Sequence, residues 1–215
     1  MTTLNYARRA LARARERGIS DALSYSCGVI QNAAMNLYLD LRYCGKISRT
    51  RHTASEITDE YHAVEHTEWR YLNNVFQEVE ISKDDVLVDV GCGDGRVLAY
   101  WLHRGIKNRI VGIEIDPATA LDTSRRFQRF KNVEILCGDA ADLVRESSGT
   151  LFYLFNPFHG RPLERFASAF RATQGSRVVL YCYNDLGPFQ ACKVRIFLKK
   201  DQDPAYRFAV ITLPN

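Results

Sequence analysis

At 215 residues, 46% hydrophobic and 25% charged, the chain has the composition of a soluble globular protein able to bury a sizeable core unaided. Its six cysteines (Cys27, Cys44, Cys92, Cys137, Cys182 and Cys192) form no C-x-x-C pair, which speaks against a zinc ribbon or disulfide framework; no run suits a bilayer span or secretory signal, so a reducing cytoplasm is expected. The net charge of +4 is uneven: residues 1–52 carry nine Lys/Arg against three Asp/Glu, and the remainder 20 against 22.

The basic character therefore belongs to the N-terminal segment, where Arg8, Arg9, Arg13, Arg15 and Arg17 form either a solvated helix face or a surface for an anionic partner such as nucleic acid. Ile19, Leu23, Cys27, Ile30, Ala34, Leu37 and Leu41 recur at three- and four-residue steps, which predicts one apolar helical stripe. Gly45 and the polar run 46–52 read as a connection. Thr53-Ala54-Ser55-Glu56 then has capping-box spacing and predicts a second helix, with Ile57, Tyr61, Val64, Leu72, Val75 and Val79 toward a core. Residues 1–80 thus read as a helical segment ahead of a domain over 81–215.

From Asp84 the pattern changes. Val86–Val90, Arg109–Ile115, Val133–Leu136, Leu151–Phe155 and Val178–Tyr183 are short β-branched or aromatic runs separated by helical stretches, which predicts a parallel sheet with helices on both faces. The last two runs, Val194–Leu198 and Phe208–Leu213, are joined by a segment too short for a helical crossover, so they should pair antiparallel. The expected fold is α/β: a Rossmann-like, doubly wound, mostly parallel sheet ending in an antiparallel hairpin, with an N-terminal helical extension.

Asp89-Val90-Gly91-Cys92-Gly93-Asp94-Gly95-Arg96 sits where the first strand gives way to the first helix of this domain. Glycines there allow a tight turn and close approach to a ligand, and the helix N-terminus behind them favours negative charge. A dinucleotide fingerprint needs its third glycine where this chain has Arg96. The spacing Asp89-x-Gly91-x-Gly93-x-Gly95 instead resembles the first motif of the class I (seven-strand) S-adenosylmethionine (SAM) dependent methyltransferases. Three further strand ends carry the likeness: Gly112-Ile113-Glu114-Ile115-Asp116, Gly138-Asp139-Ala140 and Phe155-Asn156-Pro157-Phe158.

The resemblance implies SAM as cofactor. It implies that the glycine backbone around Gly91, Cys92, Gly93 and Gly95 cradles the methionine part, with Asp89 contacting it. Glu114 takes the ribose hydroxyls, Ile115 lies against adenine, and Asp139 and the Ala140 amide read the ring. The Asn156-Pro157-Phe158 stretch is similar to the Asn-Pro-Pro-aromatic motif of amino-group methyltransferases, although it lacks the second proline. By that likeness Asn156 faces the transferable methyl and accepts from a target nitrogen, while Pro157 and Phe158 line the acceptor. His159 is the candidate base if the acceptor is instead a hydroxyl. In many enzymes of this family the segment before the glycine loop folds over the cofactor, so Tyr61 and Trp69 are candidate acceptor contacts and residues 1–80 a lid or recognition segment.

The expected activity is therefore in-line methyl transfer to an amino group of a protein or small molecule, with no metal; a non-catalytic SAM-binding or RNA-associated module is the rival from another class. His62-Ala63-Val64-Glu65-His66 also matches H-x-x-E-H, a zinc-peptidase pattern on a helix, but this leaves the glycine loop and Glu114 without a role.

Overall fold

The computed structural model describes residues 3–45, 66–155, 157–173, 175–181, 185–197 and 207–213. The capping box at 53–56 and the helix expected after it lie outside the described residues. Two helices open the chain, α1 (Thr3–Arg17) and α2 (Ile19–Leu39), followed by a wider π-helical turn at Asp40–Cys44 and, further on, by α3 (Trp69–Glu78). The sheet follows with its crossing helices: β1 (Leu87–Val90), α4 (Arg96–His103), β2 (Ile110–Glu114), α5 (Pro117–Phe127), β3 (Val133–Cys137), α6 (Ala140–Leu143), β4 (Leu151–Phe155), α7 (Gly160–Arg171) and β5 (Arg177–Tyr181). Two strands close the chain, β6 (Lys193–Phe197) and β7 (Phe208–Thr212).

The seven strands lie in the order β3-β2-β1-β4-β5-β7-β6. The first five of that order run parallel, while β7 is antiparallel to both β5 and β6. The mixed, mostly parallel sheet with a terminal antiparallel hairpin is the architecture the residue pattern predicts. Strand order reverses between β1 and β4, so the C-terminal ends of these neighbours flank the crevice in which ligands of open α/β sheets bind.

Both sheet faces are covered, which explains why the strands read as continuous apolar runs rather than alternating ones. On one face Leu87, Ile110, Leu151 and Tyr153 join Leu72, Val75, Leu98 and Trp101 of α3 and α4 in one cluster. On the other, Val88, Val111, Phe152, Leu154 and Val178 meet Leu163, Phe166 and Phe170 of α7. Each such fully buried side chain contributes about 1.5–3 kcal/mol relative to exposure. Leu39 and Cys44, from the N-terminal helices, belong to the first cluster, so the helical segment shares a core with the sheet.

The apolar stripe of α2 has a different fate. Its helix forms, but Ile19, Leu23, Ile30, Leu37 and Leu41 are exposed. The opposite face is the buried one: Asn32, Leu39 and Asp40 turn toward α3 and α4. Periodicity located a helix face correctly, while polar anchors on the other face decide which side meets the sheet.

Candidate cofactor-binding site

The glycine loop leaves β1 at Val90 and enters α4 at Arg96. Gly91 (φ +76°) and Gly95 (φ +86°) occupy the left-handed region that disfavours side chains. Space forbids a side chain as well. A Cβ on Gly95 would stand 2.5 Å from the Phe127 ring, and one on Gly91 would stand 2.9 Å from Pro157 Cβ. Pro157, just past β4, therefore leans directly on the loop.

The loop's amides hold its own shape. Gly91 and Cys92 both donate to Ile113 O (2.8 and 3.0 Å), Gly93 donates to Glu114 Oε2 (2.9 Å) and Gly95 to Cys92 O (2.8 Å). Thr123 Oγ1 donates to Gly93 O (2.6 Å) and Arg126 to Asp94 O (3.1 Å). Those four amides are thus engaged by acceptors of the chain itself.

Two buried carboxylates stand on the adjacent strands β1 and β2 beside the loop. Asp89 is 3% exposed and Glu114 4%. Glu114 accepts from Gly93 N–H through Oε2 and from Asp116 N–H through Oε1 (3.0 Å), so the loop and the β2–α5 turn hold it from both sides. Burial pushes its carboxyl above the ordinary range, and those amide donors pull in the opposite direction. Burial, and then the neighbouring Glu114, push Asp89 well above its ordinary range. No described side chain supplies a cation to this pair. A ligand carrying positive charge and hydroxyl donors would satisfy both carboxylates, which is the chemistry of an adenosyl sulfonium with its ammonium group and ribose; the residues present fit it. Cys92 beside them is fully buried, with its thiol pushed well up by burial, then by Glu114 and Asp89. Gly112 makes room for it, since a Cβ there would meet Cys92 Sγ at 2.8 Å.

The other expected residues have these places. Ile115 is half-buried just past β2, leaving apolar surface beside Glu114. Asp139 caps α6 by accepting from Ala141 N–H (2.8 Å) and pairs with Arg165 (2.8 Å), while Ala140 is buried. Phe158 is 6% exposed, its ring 6.0 Å from that of Phe166, so it belongs to the core beneath α7 rather than to an open acceptor face. His159 is exposed at the N-cap of α7. Trp69 starts α3, its amide donating to Asn36 Oδ1 (2.8 Å) and its buried indole N–H meeting no acceptor among the described residues. Asn156 and Tyr61 lie outside the described residues.

Sequence reasoning missed the struts behind the loop. Arg96, buried at the start of α4, donates from Nε and Nη2 to Asp40 Oδ1 and Oδ2 (2.9 and 2.7 Å), a fork that ties the end of α2 to the loop. Arg126 adds bonds to Cys44 O (3.3 Å) and Thr123 Oγ1 (2.7 Å). His66 Nε2 lies 3.6 Å from Asp94 Oδ2, and Thr67 Oγ1 lies 3.1 Å from Tyr153 Oη. The one available signal was an arginine directly after the glycine loop, where a buried helix start requires a counter-charge. His62 and Glu65 of H-x-x-E-H lie outside the described residues, and among the described residues no group of three or more His, Cys, Asp or Glu is placed to hold a metal. No helix of the described residues is long and apolar enough to cross a membrane.

Residues 87–175 match the family model of a methyltransferase domain. The chain is 30% identical over 70 residues to a probable ribosomal RNA small subunit methyltransferase A of Methanosarcina acetivorans, covering 33% of this chain and 25% of that protein. It is 27% identical over 88 residues to a probable cobalt-precorrin-6B C(15)-methyltransferase (decarboxylating) of Archaeoglobus fulgidus, covering 41% of this chain and 52% of that one. The chain thus spans about a quarter to a half of these relatives. Among solved structures, a point mutant of MtNAS in complex with S-adenosylmethionine shares the fold, with a TM-score of 0.55 at 12% identity over 95% of this chain and 82% of that chain.

Proposed function

We propose that this chain, whose residues 87–175 match a methyltransferase domain, binds SAM over the C-terminal ends of β1, β2 and β3 and transfers its methyl group to an amine held beside β4. The observation that carries this reading is the buried pair Asp89 and Glu114, two carboxylates on adjacent strands with no described side chain as counter-ion. SAM supplies the methyl group, and its sulfur is the leaving atom of an in-line displacement.

The chain's own residues orient and exclude water. Glu114, fixed by the Gly93 and Asp116 amides, presents its remaining lone pairs to the ribose hydroxyls. Asp89 sets negative charge against the cationic end of the ligand. Ile115 gives the adenine an apolar wall. At the acceptor side, the closeness of Pro157 to the loop at Gly91 supports seating the acceptor next to the cofactor. Asn156, one residue earlier, is assigned the hydrogen bond from the acceptor nitrogen, whose free lone pair the transfer requires; the amine must therefore arrive unprotonated. The helical segment is fastened by Asp40 to Arg96 behind the loop, and His66 stands 3.6 Å from Asp94 of the loop.

The relatives named above act, by their names, on ribosomal RNA and on a precorrin. Acceptors so unlike share only the SAM-binding half, so the amine reading rests on the chain beyond β4. Incubation with methyl-labelled SAM and separated protein, RNA and small-molecule fractions tests it. Label is expected in an amine of the protein or small-molecule fraction and to be lost with Asn156→Ala. Label in RNA alone overturns the acceptor, and SAM binding with no transfer overturns the enzyme.

A further inference from the structure

We propose that the chain forms a two-fold symmetric homodimer by packing the open face of α2 antiparallel against the same face of a second copy. Leu23, Ile30, Leu37 and Leu41 are 61%, 69%, 44% and 56% exposed. With Cys27 and Ala34 they fall at steps of four, three, four, three and four residues, a mean of 3.6, which keeps them on one face along α2 and into the turn that follows it. The seam runs about 27 Å along the helix at 1.5 Å per residue. With Ile19, also exposed, it amounts to roughly 500–600 Å² of apolar surface. That is at the upper end of the roughly 300–600 Å² of the largest patch on a typical monomer, a size often functional, and approaches the roughly 800 Å² per partner of a stable interface.

The composition of the helix selects the partner. From Ile19 to Leu39 it contains no Lys or Arg, and its one acid, Asp21, is paired with Arg13. The residues flanking the seam include Ser24, Gln31 and Ala33, neutral and short, so an identical copy meets no like charge. An anionic membrane would call for basic residues along the edge of the stripe; between Ile19 and Leu39 there are none, and Arg42 at its far end lies over the Tyr43 ring.

Size alternation selects the direction. In a parallel pair each position faces itself, so Cys27 and Ala34 layers would be underfilled between bulky ones. With an antiparallel axis level with residue 32, Ile30 covers Ala34 of the second copy, Cys27 meets its Leu37, and Leu23 meets its Leu41. Large then faces small in the four central layers, the complementarity that dense packing requires.

Sedimentation velocity of the full chain over a dilution series tests this. Wild type is expected at twice the monomer mass when concentrated and to dissociate on dilution, while Ile30→Asp with Leu37→Asp is expected to stay monomeric with unchanged circular dichroism. If the double variant loses helicity, Ile30→Ala serves instead and should raise the dimer dissociation constant at least tenfold. A monomeric wild type, including one that binds anionic vesicles as a monomer, overturns the proposal, as does an unchanged dissociation constant in Ile30→Ala. Mild oxidation reads the direction. The antiparallel register sets the two Cys27 residues about 15 Å apart along the axis, beyond disulfide reach. A Cys27–Cys27 crosslink in the dimer overturns it.

Discussion

Asp89 and Glu114 are carboxylates that folding makes harder to ionise. A group whose folded pKa is raised binds its proton more tightly in the native state. It therefore costs stability as pH climbs from its unfolded pKa through its folded one, and the cost persists above. Asp89→Asn removes that cost. The variant is expected to melt at or above the wild-type temperature at neutral pH while losing SAM affinity at least tenfold by calorimetry; a variant that is less stable yet binds normally contradicts the role given to Asp89. Glu114→Gln should bind poorly too. The carboxylate faces two N–H donors, from Gly93 and Asp116, and an amide can accept at only one of its two positions. Cysteine reactivity follows the same environment: burial and Asp40 raise Cys44 to about 12, and burial with Glu114 and Asp89 raises Cys92 well above the ordinary thiol range, whereas Cys137 is exposed. Thiol titration of the native protein should label Cys137 and leave Cys44 and Cys92 unmodified until denaturant is added. Gly95→Ala combines a forbidden backbone angle with a 2.5 Å contact on Phe127. A loss of about 2–3 kcal/mol in denaturant unfolding is expected.

At the scale of elements, the strands were legible because their burial on two faces demands unbroken β-branched and aromatic runs, as in Leu151–Phe155. The glycine turn was legible because a strand end followed at once by a helix start demands residues that tolerate positive φ, as Gly91 and Gly95 do. Phe158 was not. An aromatic after Pro157 reads the same whether it points at a ligand or into Phe166, and only the path of α7 decides. The orientation of α2 was hidden for a related reason, since its stripe is real but the anchors lie elsewhere. Asn32 accepts from Arg70 N–H (3.1 Å) and donates to Glu68 (2.9 Å), and Asp40 takes the Arg96 fork across 56 positions of sequence. Removing one partner of a buried pair leaves the other charge uncompensated. Asp40→Ala should therefore cost about 3–5 kcal/mol in chemical denaturation. A cost under about 1 kcal/mol, the range of surface pairs, would show that Arg96 finds water instead.

On the scale of the whole molecule, the helical segment and the sheet share one hydrophobic cluster through Leu39 and Cys44, so residues 18–45 act as part of the fold that shapes the loop. A truncation at residue 17 removes α1 alone and should leave a folded chain that binds SAM. A truncation through residue 45 removes Asp40 as well and should lower the melting temperature and SAM affinity together. The central claim is that two buried carboxylates await a cationic nucleoside. Calorimetry of SAM binding in buffers of differing ionisation enthalpy, repeated at pH values rising from the ordinary carboxylate range, reads it most directly. Wild type should release protons on binding where Asp89 and Glu114 are partly protonated, and Asp89→Asn should release fewer. Tight binding with no proton release at any pH, matched by the Asp89→Asn variant, would contradict it.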